Sequence, residues 1–467
     1  MVRTKKTTTV EENKVTTKDL DISQFMQTDY LQFAFSVLEE RALPSIVDGF
    51  KPAARKVMHA ALAGTTKDGK LYKLLALSGD AMRVSLYAHG DASLNSVIVG
   101  LCKYFVDNLN PLESDSQVGS LRDPDSAGSP RYLYVKHSKY MDIYKTDIDL
   151  TEQIFEEGQY VEPKYYLPII PTILTKNNQG IAIGYAMHNQ SYNPLDVIDA
   201  CIECLKKRTE NYKISHIIRP FVRGTKQENW RYENDVWLNY GEWKINKSKD
   251  LLTVTDLPAD TSYEQFEKLL NKLQDAEYIK DWSNMSKNGA VTYELKFAKG
   301  QLSKLKEEQI INKLKLVKQV KDDLFWLLDE NNKLIYFKNK YDIVKYFVKH
   351  RLNIYAQRKD KLVKIINERY KDNCDLIKFI ELVCAGKLVI RNRAKVDIKK
   401  DMTKYELPFD LISTPMSRCT KEERDELLKK NKELKKELDY ITKTTEKQMY
   451  INDLKKLRKD LENDFPA

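Results

Sequence analysis

The chain has 467 residues, with 78 Lys and Arg against 68 Asp and Glu for a formal net charge of +10, and 42% of the residues are hydrophobic. This length and apolar content exclude a wholly disordered protein and predict about two to four domains. No apolar run approaches the roughly 18 to 20 residues of a transmembrane helix, and the six irregularly spaced cysteines fit a reducing compartment. We therefore expect a cytoplasmic protein, whose small basic surplus permits a nucleic-acid partner without establishing one.

The N-terminal third divides into a tail and a folded region. Residues 1–22 are rich in Thr, Lys and Glu without hydrophobic periodicity, and we expect a disordered tail there. Residues 23–158 combine short helical patterns with a polar loop at 114–130 and a strand-like run at 131–135. This mixture predicts a compact α+β domain.

Proline marks a change of architecture later in the chain, because none lies between Pro258 and Pro408. Residues 159–340 contain all five tryptophans and alternating runs such as 291–297, which predicts a second mixed α/β domain. From Tyr341 the apolar spacing predicts one helix of roughly 35 to 45 residues.

A second helical block is predicted to open at Thr420, which has capping-box spacing with Glu423. Apolar residues follow it seven positions apart, at Leu427, Leu434 and Ile441. The stretch from 421 to 467 contains 13 basic and 12 acidic residues, so its surface is solvated and is not a DNA-binding stripe. Residues 341–467 are therefore expected to form an antiparallel coiled arm.

The basic surplus is concentrated between residues 41 and 105, which contain nine Lys and Arg against four Asp and Glu. The pattern predicts an amphipathic helix at 30–37, a turn at 44–49 and a second helix that begins after Lys51 and Pro52. These two helices are the candidates for contacts with phosphate groups.

His89 precedes a further predicted helix, with apolar residues at Leu94, Val97, Ile98, Leu101 and Phe105. We expect Asp91 or Ser93 to cap this helix. Backbone amides at a helix N-terminus favour a phosphate, which makes His89 a candidate ligand-binding residue. A loop histidine without a role is the alternative that this clue alone leaves open.

The 114–130 loop leads directly into Arg131 and Tyr132. Most of the 27 tyrosines are expected to be packing residues. A phenol with a pKa near 10 is a poor nucleophile unless a base or nearby cations assist it. Because an arginine can stabilise both a phenolate and the charge of a pentavalent phosphorus, Tyr132 is the candidate nucleophile.

Five sequence blocks, in the family's order and at similar spacing, resemble the breakage-reunion subunits of type IIA DNA topoisomerases. They are a run from Tyr30 to Arg55 with Arg-Ala-Leu-Pro and Asp-Gly-Phe-Lys-Pro, His89-Gly90-Asp91, the block from Gly119 to Ala127, Arg131-Tyr132, and Gly180-Ile181-Ala182-Ile183-Gly184. Later blocks, Ile218 to Gly224 and Pro415-Met416-Ser417, are closer to the eukaryotic branch. This mixture resembles the medium subunits of topoisomerases from T-even-type bacteriophages.

The resemblance implies catalytic roles for four residues. Tyr132 would attack a DNA phosphodiester and become joined to the 5′ end of the broken strand, with Arg131 assisting. Arg41 and His89 match positions around the same phosphate. The enzyme implied is an ATP-hydrolysing type IIA topoisomerase, of which this chain is the DNA-cleaving subunit.

Four further residues match DNA-contacting positions of the family. Lys51, Arg55 and Lys56 match basic residues along the DNA backbone. Ile181 matches an isoleucine that wedges between base pairs and bends the duplex. The family commonly has a second histidine where this chain has Tyr87.

The resemblance also implies a fold and an assembly. Residues 23–158 would be a winged-helix breakage-reunion domain, 159–340 a tower domain, and 341–467 a coiled-coil arm with a C-gate that forms a homodimer. Each protomer would cut one strand of double-stranded DNA so that a second duplex passes, which relaxes and decatenates DNA. Without a C-terminal wrapping domain, negative supercoiling is not expected.

Mg²⁺ and ATP are expected to be bound by a partner, an ATPase/TOPRIM large subunit of one or two chains. The GxxxxGK match at 64–70 has Leu71 where a P-loop needs Ser or Thr, and no complete metal site is recognisable in the sequence. If the chain is encoded by a phage, the location would be the host cytoplasm.

Two alternatives belong to other classes. His216-Ile217-Ile218-Arg219 with Tyr240 downstream fits the short pattern of a tyrosine recombinase, which would leave a 3′-phosphotyrosine. A non-enzymatic winged-helix DNA-binding protein explains the basic helices but leaves Arg131 and Tyr132 without a function.

Overall fold

A computed structural model describes residues 21–65, 69–207, 212–287, 289–320, 324–390, 392–415 and 420–466. Most of the expected N-terminal tail, part of the GxxxxGK match, and Met416 and Ser417 lie outside the described residues. None of the described helices is long and apolar enough to cross a lipid bilayer.

The first folded region consists of five helices and a small sheet. The helices are α1 Ile22–Gln27, α2 Asp29–Val37, α3 Pro52–Ala60, α4 Leu74–Val84 and α5 Asp91–Cys102. The strands are β1 Tyr72–Lys73, β2 Leu112–Glu113 and β3 Tyr134–His137, in the antiparallel order β1-β3-β2. A π-helical turn, Leu38–Ala42, continues α2. As predicted, Lys51 is the N-cap of α3 and Pro52 its first residue, where the missing N–H is not needed.

Two local predictions in this region are wrong. Gly90, not Asp91 or Ser93, is the N-cap of α5, and no side chain caps that helix; Asp91 is its first residue, where its charge suits the helix dipole. The strand predicted at 131–135 begins only at Tyr134, because Pro130–Tyr132 forms a 3-10 turn before the chain enters the sheet.

The middle of the chain, as far as the structure describes it, adds five helices and thirteen strands. The helices are α6 Asp142–Lys145, α7 Pro194–Lys206, α8 Tyr263–Asp275, α9 Gln301–Lys304 and α10 Glu307–Lys313. The strands are β4 Gln153–Glu156, β5 Gln159–Pro163, β6 Asn178–Ile181, β7 Ala186–Asn189, β8 Trp230–Glu233, β9 Val236–Tyr240, β10 Glu242–Asn246, β11 Leu251–Asp256, β12 Asp281–Asn284, β13 Tyr293–Lys296, β14 Val317–Gln319, β15 Leu324–Leu328 and β16 Leu334–Phe337.

These strands form four antiparallel sheets. β4 and β5 make a hairpin, and the order of the next sheet is β16-β15-β7-β6. The other two sheets have the orders β10-β11-β13-β12 and β14-β9-β8. The alternation predicted at 291–297 is confirmed by β13, in which Tyr293 and Leu295 are buried and Lys296 is exposed.

Two main cores organise these elements. The larger core joins α3–α5 and α7 to β15, β16, the start of the long arm helix and the C-terminal residues, so the regions on both sides of residue 158 share it. The second core lies within residues 252–316, between the sheet β10-β11-β13-β12 and helices α8–α10. We call residues 230–320 the small β unit.

The arm begins with α11 Lys340–Cys384, whose 45 residues confirm the predicted long helix. Beyond it are α12 Lys395–Lys404, α13 Lys421–Lys443 and α14 Glu446–Leu461. The second helical block, predicted to open at Thr420, therefore consists of two helices, α13 and α14. These two helices run antiparallel to α11, as the hydrogen bonds between Tyr355 and Asp453 and between Cys374 and Asn431 show. Thr420 caps α13 by accepting from the Glu423 N–H, as predicted.

Candidate active site

The predicted nucleophile, Tyr132, ends the 3-10 turn that follows the 114–130 loop. Its side chain is 69% exposed, and the Arg131 guanidinium lies 5.3 Å from the centre of its ring. Arg131 Nε also donates to Ser129 Oγ at 3.3 Å. The next residue, Leu133, is buried in the main core, and its carbonyl accepts from the Leu74 N–H at 2.9 Å. The exposed Tyr132 phenol and the Arg131 guanidinium are thus anchored, through Leu133, to the buried start of α4.

The loop before Tyr132 is internally cross-linked. Val118 and Ala127 form a β-bridge across it. Gly119 has a φ of 95°, and a Cβ there would lie 2.6 Å from the Pro124 carbonyl oxygen, so only glycine fits this approach. Lys103 Nζ donates to the same oxygen at 2.7 Å. These contacts make the loop a defined element.

Four of the predicted phosphate-contacting residues line one cavity of about 730 Å³ between α2, α3 and the α4–α5 connection. They are Arg41, Lys51, Lys56 and His89. Apolar side chains such as Phe33, Val37 and Val97 form much of the remaining wall. The structure therefore brings together residues that are up to 48 positions apart in the sequence.

Arg41 and His89 offer exposed side chains at this cavity. Arg41 lies in the π-helical turn. His89 lies three residues after Leu86, whose left-handed φ of 47° is an unfavourable conformation for a leucine. The ring of Tyr87, which stands where the family commonly has a histidine, lies edge-on to that of His89 at 5.4 Å. This contact orients the imidazole from one side.

Lys51 connects α3 to strand β6. Its Nζ donates to the Gln179 carbonyl at 3.2 Å, and burial lowers the pKa of the amine from its ordinary value of 10.5. A phosphate oxygen beside this amine would form an ion pair with it and favour its charged form.

Lys56 and Arg55 are placed differently from the sequence-based expectation. Lys56 Nζ pairs with Glu162 at 2.7 Å and donates to the Ser85 carbonyl at 2.7 Å, so a carboxylate already balances its charge. The Arg55 side chain is 10% exposed and forms two hydrogen bonds with buried Asp48, at 2.8 and 3.1 Å. Burial opposes the charged form, but the pKa of Arg55 is raised because Asp48 outweighs burial. This geometry argues against a DNA-backbone contact for Arg55.

Sequence reasoning missed a buried ion pair on the cavity wall. Lys176 Nζ lies 3.6 Å from Asp107 Oδ2 and 3.7 Å from the ring centre of Phe50. Burial raises the pKa of Asp107 and lowers that of Lys176. The two residues are 69 positions apart in loops without a motif, so no sequence signal identified them.

Ile181 ends β6 and is 87% exposed, the shape expected of an apolar wedge. Its neighbour Gly180 packs backbone against backbone on the Arg41 turn, since a Cβ there would lie 2.5 Å from the Ala42 carbonyl oxygen. The hairpin that presents Ile181 is therefore in direct contact with the cavity wall.

Tyr132, Arg131, Arg55 and Ile181 do not line the cavity. Among the described residues, no group of three or more His, Cys, Asp or Glu side chains is arranged to hold a metal ion.

The sequence matches the model of the DNA gyrase/topoisomerase IV A-subunit family over residues 41–458. It is 26% identical over 452 residues to the DNA topoisomerase medium subunit of Enterobacteria phage T4, covering 94% of this chain and 99% of that protein. It is also 27% identical over 466 residues to the mitochondrial DNA topoisomerase 2 of Dictyostelium discoideum, covering 95% of this chain. The chain spans only 35% of that longer relative.

The fold has a solved counterpart. The DNA-binding, cleavage and re-ligation domain of Plasmodium falciparum topoisomerase II aligns with a TM-score of 0.80 and 24% identity, covering 94% of this chain and 65% of that one. This likeness identifies the mixed α/β cleavage-domain fold, and the family match extends over most of the sequence. The chain belongs to the DNA gyrase/topoisomerase IV A-subunit family.

Proposed function

We propose that this chain is the DNA-cleaving and religating subunit of an ATP-dependent type II topoisomerase. The observation that carries the proposal is the exposed Tyr132 phenol beside the Arg131 guanidinium, on a turn anchored in the core. Full-length coverage of the phage T4 medium subunit supports a subunit of this kind.

In the proposed reaction, Tyr132 Oη attacks a DNA phosphorus. A bond forms between the phenolic oxygen and phosphorus, the bond from phosphorus to the 3′ oxygen breaks, and the released strand end takes a proton to become a 3′ hydroxyl. The phenolic proton passes to solvent or to a base. Arg131 stabilises the negative charge that grows on the phosphoryl oxygens. Attack of the 3′ hydroxyl on the phosphotyrosine reverses each step and reseals the strand.

The cavity residues are proposed to hold the DNA backbone near the cleavage point. Arg41 and His89 have exposed side chains for this purpose, and Lys51 has a partly desolvated amine whose charged form an anionic partner would favour. Ile181 is proposed to enter the base stack. We assign Lys56 a weaker contribution because Glu162 already pairs with it, and we assign Arg55 none.

The finer architecture is part of the proposal. Helices α3–α5 with the sheet β1-β3-β2 have the composition of a winged helix, which supports that role for residues 23–158. Residues 159–340 are proposed as the tower, and 341–467 as the arm through which two copies form a dimer around double-stranded DNA. Two tyrosines in one dimer then cut the two strands, which permits strand passage, relaxation and decatenation.

Mg²⁺ and ATP are proposed to bind the ATPase/TOPRIM large subunit.

The recombinase alternative finds no support in the geometry. Arg219 and His216 are both bonded to Asp196, at 2.7 and 3.3 Å, and the Tyr240 hydroxyl donates to Glu233 at 3.1 Å. The first two residues attach the 216–219 segment to α7, and Tyr240 connects strands β9 and β8.

The test is to assemble the chain with its large subunit, add end-labelled DNA and Mg²⁺, quench with denaturant, and map the labelled peptide. We expect DNA on Tyr132 through a 5′ phosphate, and no adduct with Tyr132→Phe. Tyr134→Phe is the matched control, because Tyr134 is an exposed tyrosine two residues away on β3 and should leave the adduct unchanged. An adduct on another tyrosine, or through a 3′ phosphate, would refute the proposal.

A further inference from the structure

Arg122 is a buried arginine within the loop that leads to Tyr132. Its side chain is 7% exposed and donates to four oxygens of a single segment, residues 256–261. These acceptors are the carbonyls of Leu257 at 2.5 Å, Pro258 at 2.7 Å and Thr261 at 3.2 Å, and Asp256 Oδ1 at 2.7 Å. We call residues 256–261 the junction segment.

The main chain repeats this connection. The Tyr263 N–H donates to the Arg122 carbonyl at 2.8 Å, so the side chain and backbone of one residue both bind the small β unit. Three backbone carbonyls and a carboxylate converge on one planar fork of donors, an arrangement that a lysine cannot satisfy. Such a network costs more to leave incomplete than its individual bonds suggest.

The junction segment also contacts the hairpin that presents Ile181. Asn177, just before β6, donates to Asp260 Oδ1 at 3.4 Å. Lys318 of β14 donates to the Asp260 carbonyl at 2.7 Å, and the Ala259 N–H donates to Asn239 Oδ1 at 2.6 Å. The segment is therefore held by strands β9 and β14 of the small β unit while it contacts both elements that present Tyr132 and Ile181.

Movement of Arg122 would be transmitted to Tyr132 because the intervening loop is cross-linked. The Gly128 N–H donates to the Gln117 carbonyl at 2.9 Å, next to the bridge between Val118 and Ala127. Tyr132 follows Arg122 by ten positions along the chain, but the Lys103 bond to Pro124 and the closed loop leave little freedom between them.

We propose that Arg122 is a positioning residue for strand cleavage: through the junction segment it fixes the spacing between the Tyr132 nucleophile and the Ile181 wedge. The inference rests on the proposed function. It assigns the small β unit the task of setting the geometry in which a bent duplex meets the phenol. A displacement of about 1 Å between a nucleophile and its phosphorus costs up to about a hundredfold in rate.

The experiment compares Arg122→Lys with Arg231→Lys in the assembled enzyme. Arg231 is an exposed arginine of the same unit whose guanidinium lies over the Tyr240 ring at 4.5 Å, so it controls for the loss of an arginine. The rate of adduct formation at saturating DNA, the DNA affinity and the unfolding midpoint are measured for each. A second substrate carries a nick between the two cleavage positions, which makes the duplex easier to bend.

We expect Arg122→Lys to slow adduct formation about tenfold to a hundredfold on intact DNA, with affinity changed by less than about threefold, and to recover most of the rate on nicked DNA. Arg231→Lys should match the wild type. An unchanged rate for Arg122→Lys, or an equal loss on both substrates, would overturn the inference.

If Arg122→Lys does not fold, Asp256→Asn is measured instead. This substitution keeps the shape of the side chain and removes the charge that faces Arg122 Nη2. The same pattern of rates is expected, with the same refuting outcomes. Wild-type enzyme without an adduct on Tyr132 would refute the proposed function itself, which distinguishes that failure from failure of this inference.

Discussion

Removal of the Asp48 carboxylate should loosen the turn between Arg41 and α3. Asp48 is fully buried and accepts four hydrogen bonds: two from Arg55, one from the Phe50 N–H at 3.0 Å and one from the Tyr166 N–H at 3.1 Å. Asp48→Ala leaves the Arg55 guanidinium buried without its carboxylate, and among the described residues the Phe50 carbonyl, at 3.3 Å, is the acceptor that remains. Breaking a buried pair in this way costs about 3 to 5 kcal/mol.

The matched control is Asp142→Ala. Asp142 forms its 2.7 Å ion pair with Lys145 at the surface, where its side chain is 83% exposed. An exposed pair of this kind contributes about 0 to 1 kcal/mol. The two variants remove the same chemical group and differ in burial and in the number of donors left without an acceptor.

Hydrogen exchange of the amides from residue 45 to 57 is the assay, because a large protein need not unfold in one step. A loss of about 3 kcal/mol accelerates exchange through local opening about a hundredfold. Asp142→Ala should leave these amides unchanged. If Asp48→Ala accelerates their exchange no more than Asp142→Ala does, the reasoning from burial is refuted.

Two further predictions concern stability. The hydrogen bond to Asp196 raises the pKa of His216 above 6.5, so the stability contributed by the protonated imidazole is complete below pH 6.5 and is lost as the pH rises through the raised pKa. The unfolding midpoint should therefore decline less between pH 6 and pH 9 in His216→Gln than in the wild type, and an equal decline would contradict this assignment. Phe465 is buried against Tyr140 and Phe221, so Phe465→Ala should destabilise the attachment of the C-terminal residues by about 3 to 5 kcal/mol, seen as faster exchange in residues 450–466. Tyr232→Ala, at an exposed aromatic residue of β8, should have no such effect.

Sequence reasoning succeeded where the determining interactions are local. The spacing of apolar residues after Tyr341 was sufficient for α11, and Pro52 after Lys51 was sufficient for the start of α3. It failed where a residue distant in the sequence decides the outcome: Arg131 and Tyr132 precede strand-forming residues, but Leu133 is buried and its carbonyl accepts from the Leu74 N–H, and the strand begins only after this contact.

The same contrast between local and distant determinants holds for the candidate site. Its candidate residues came from motifs, and the structure brings Arg41, Lys51, Lys56 and His89 to one cavity. The burial of Arg55 depends on Asp48, a carboxylate in the turn that precedes α3, so the i,i+3 and i,i+4 pairs of a helix surface give no signal for it. The acceptors of Arg122 lie 134 to 139 residues away, beyond the reach of any local pattern.

The length of α11 gives its base mechanical leverage. At 1.5 Å per residue its 45 residues extend about 68 Å, of which about 44 Å lie beyond Tyr355, and a rotation of about 5° at Tyr355 displaces the far end by about 4 Å. The base is held by the stacked rings of Tyr355 and Tyr450, 4.5 Å apart, and by Arg351, which is paired with Asp147 at 2.5 Å. A few side chains near one end of the helix therefore determine where the apolar cluster around Phe379 and Met402, at the other end, is located in space.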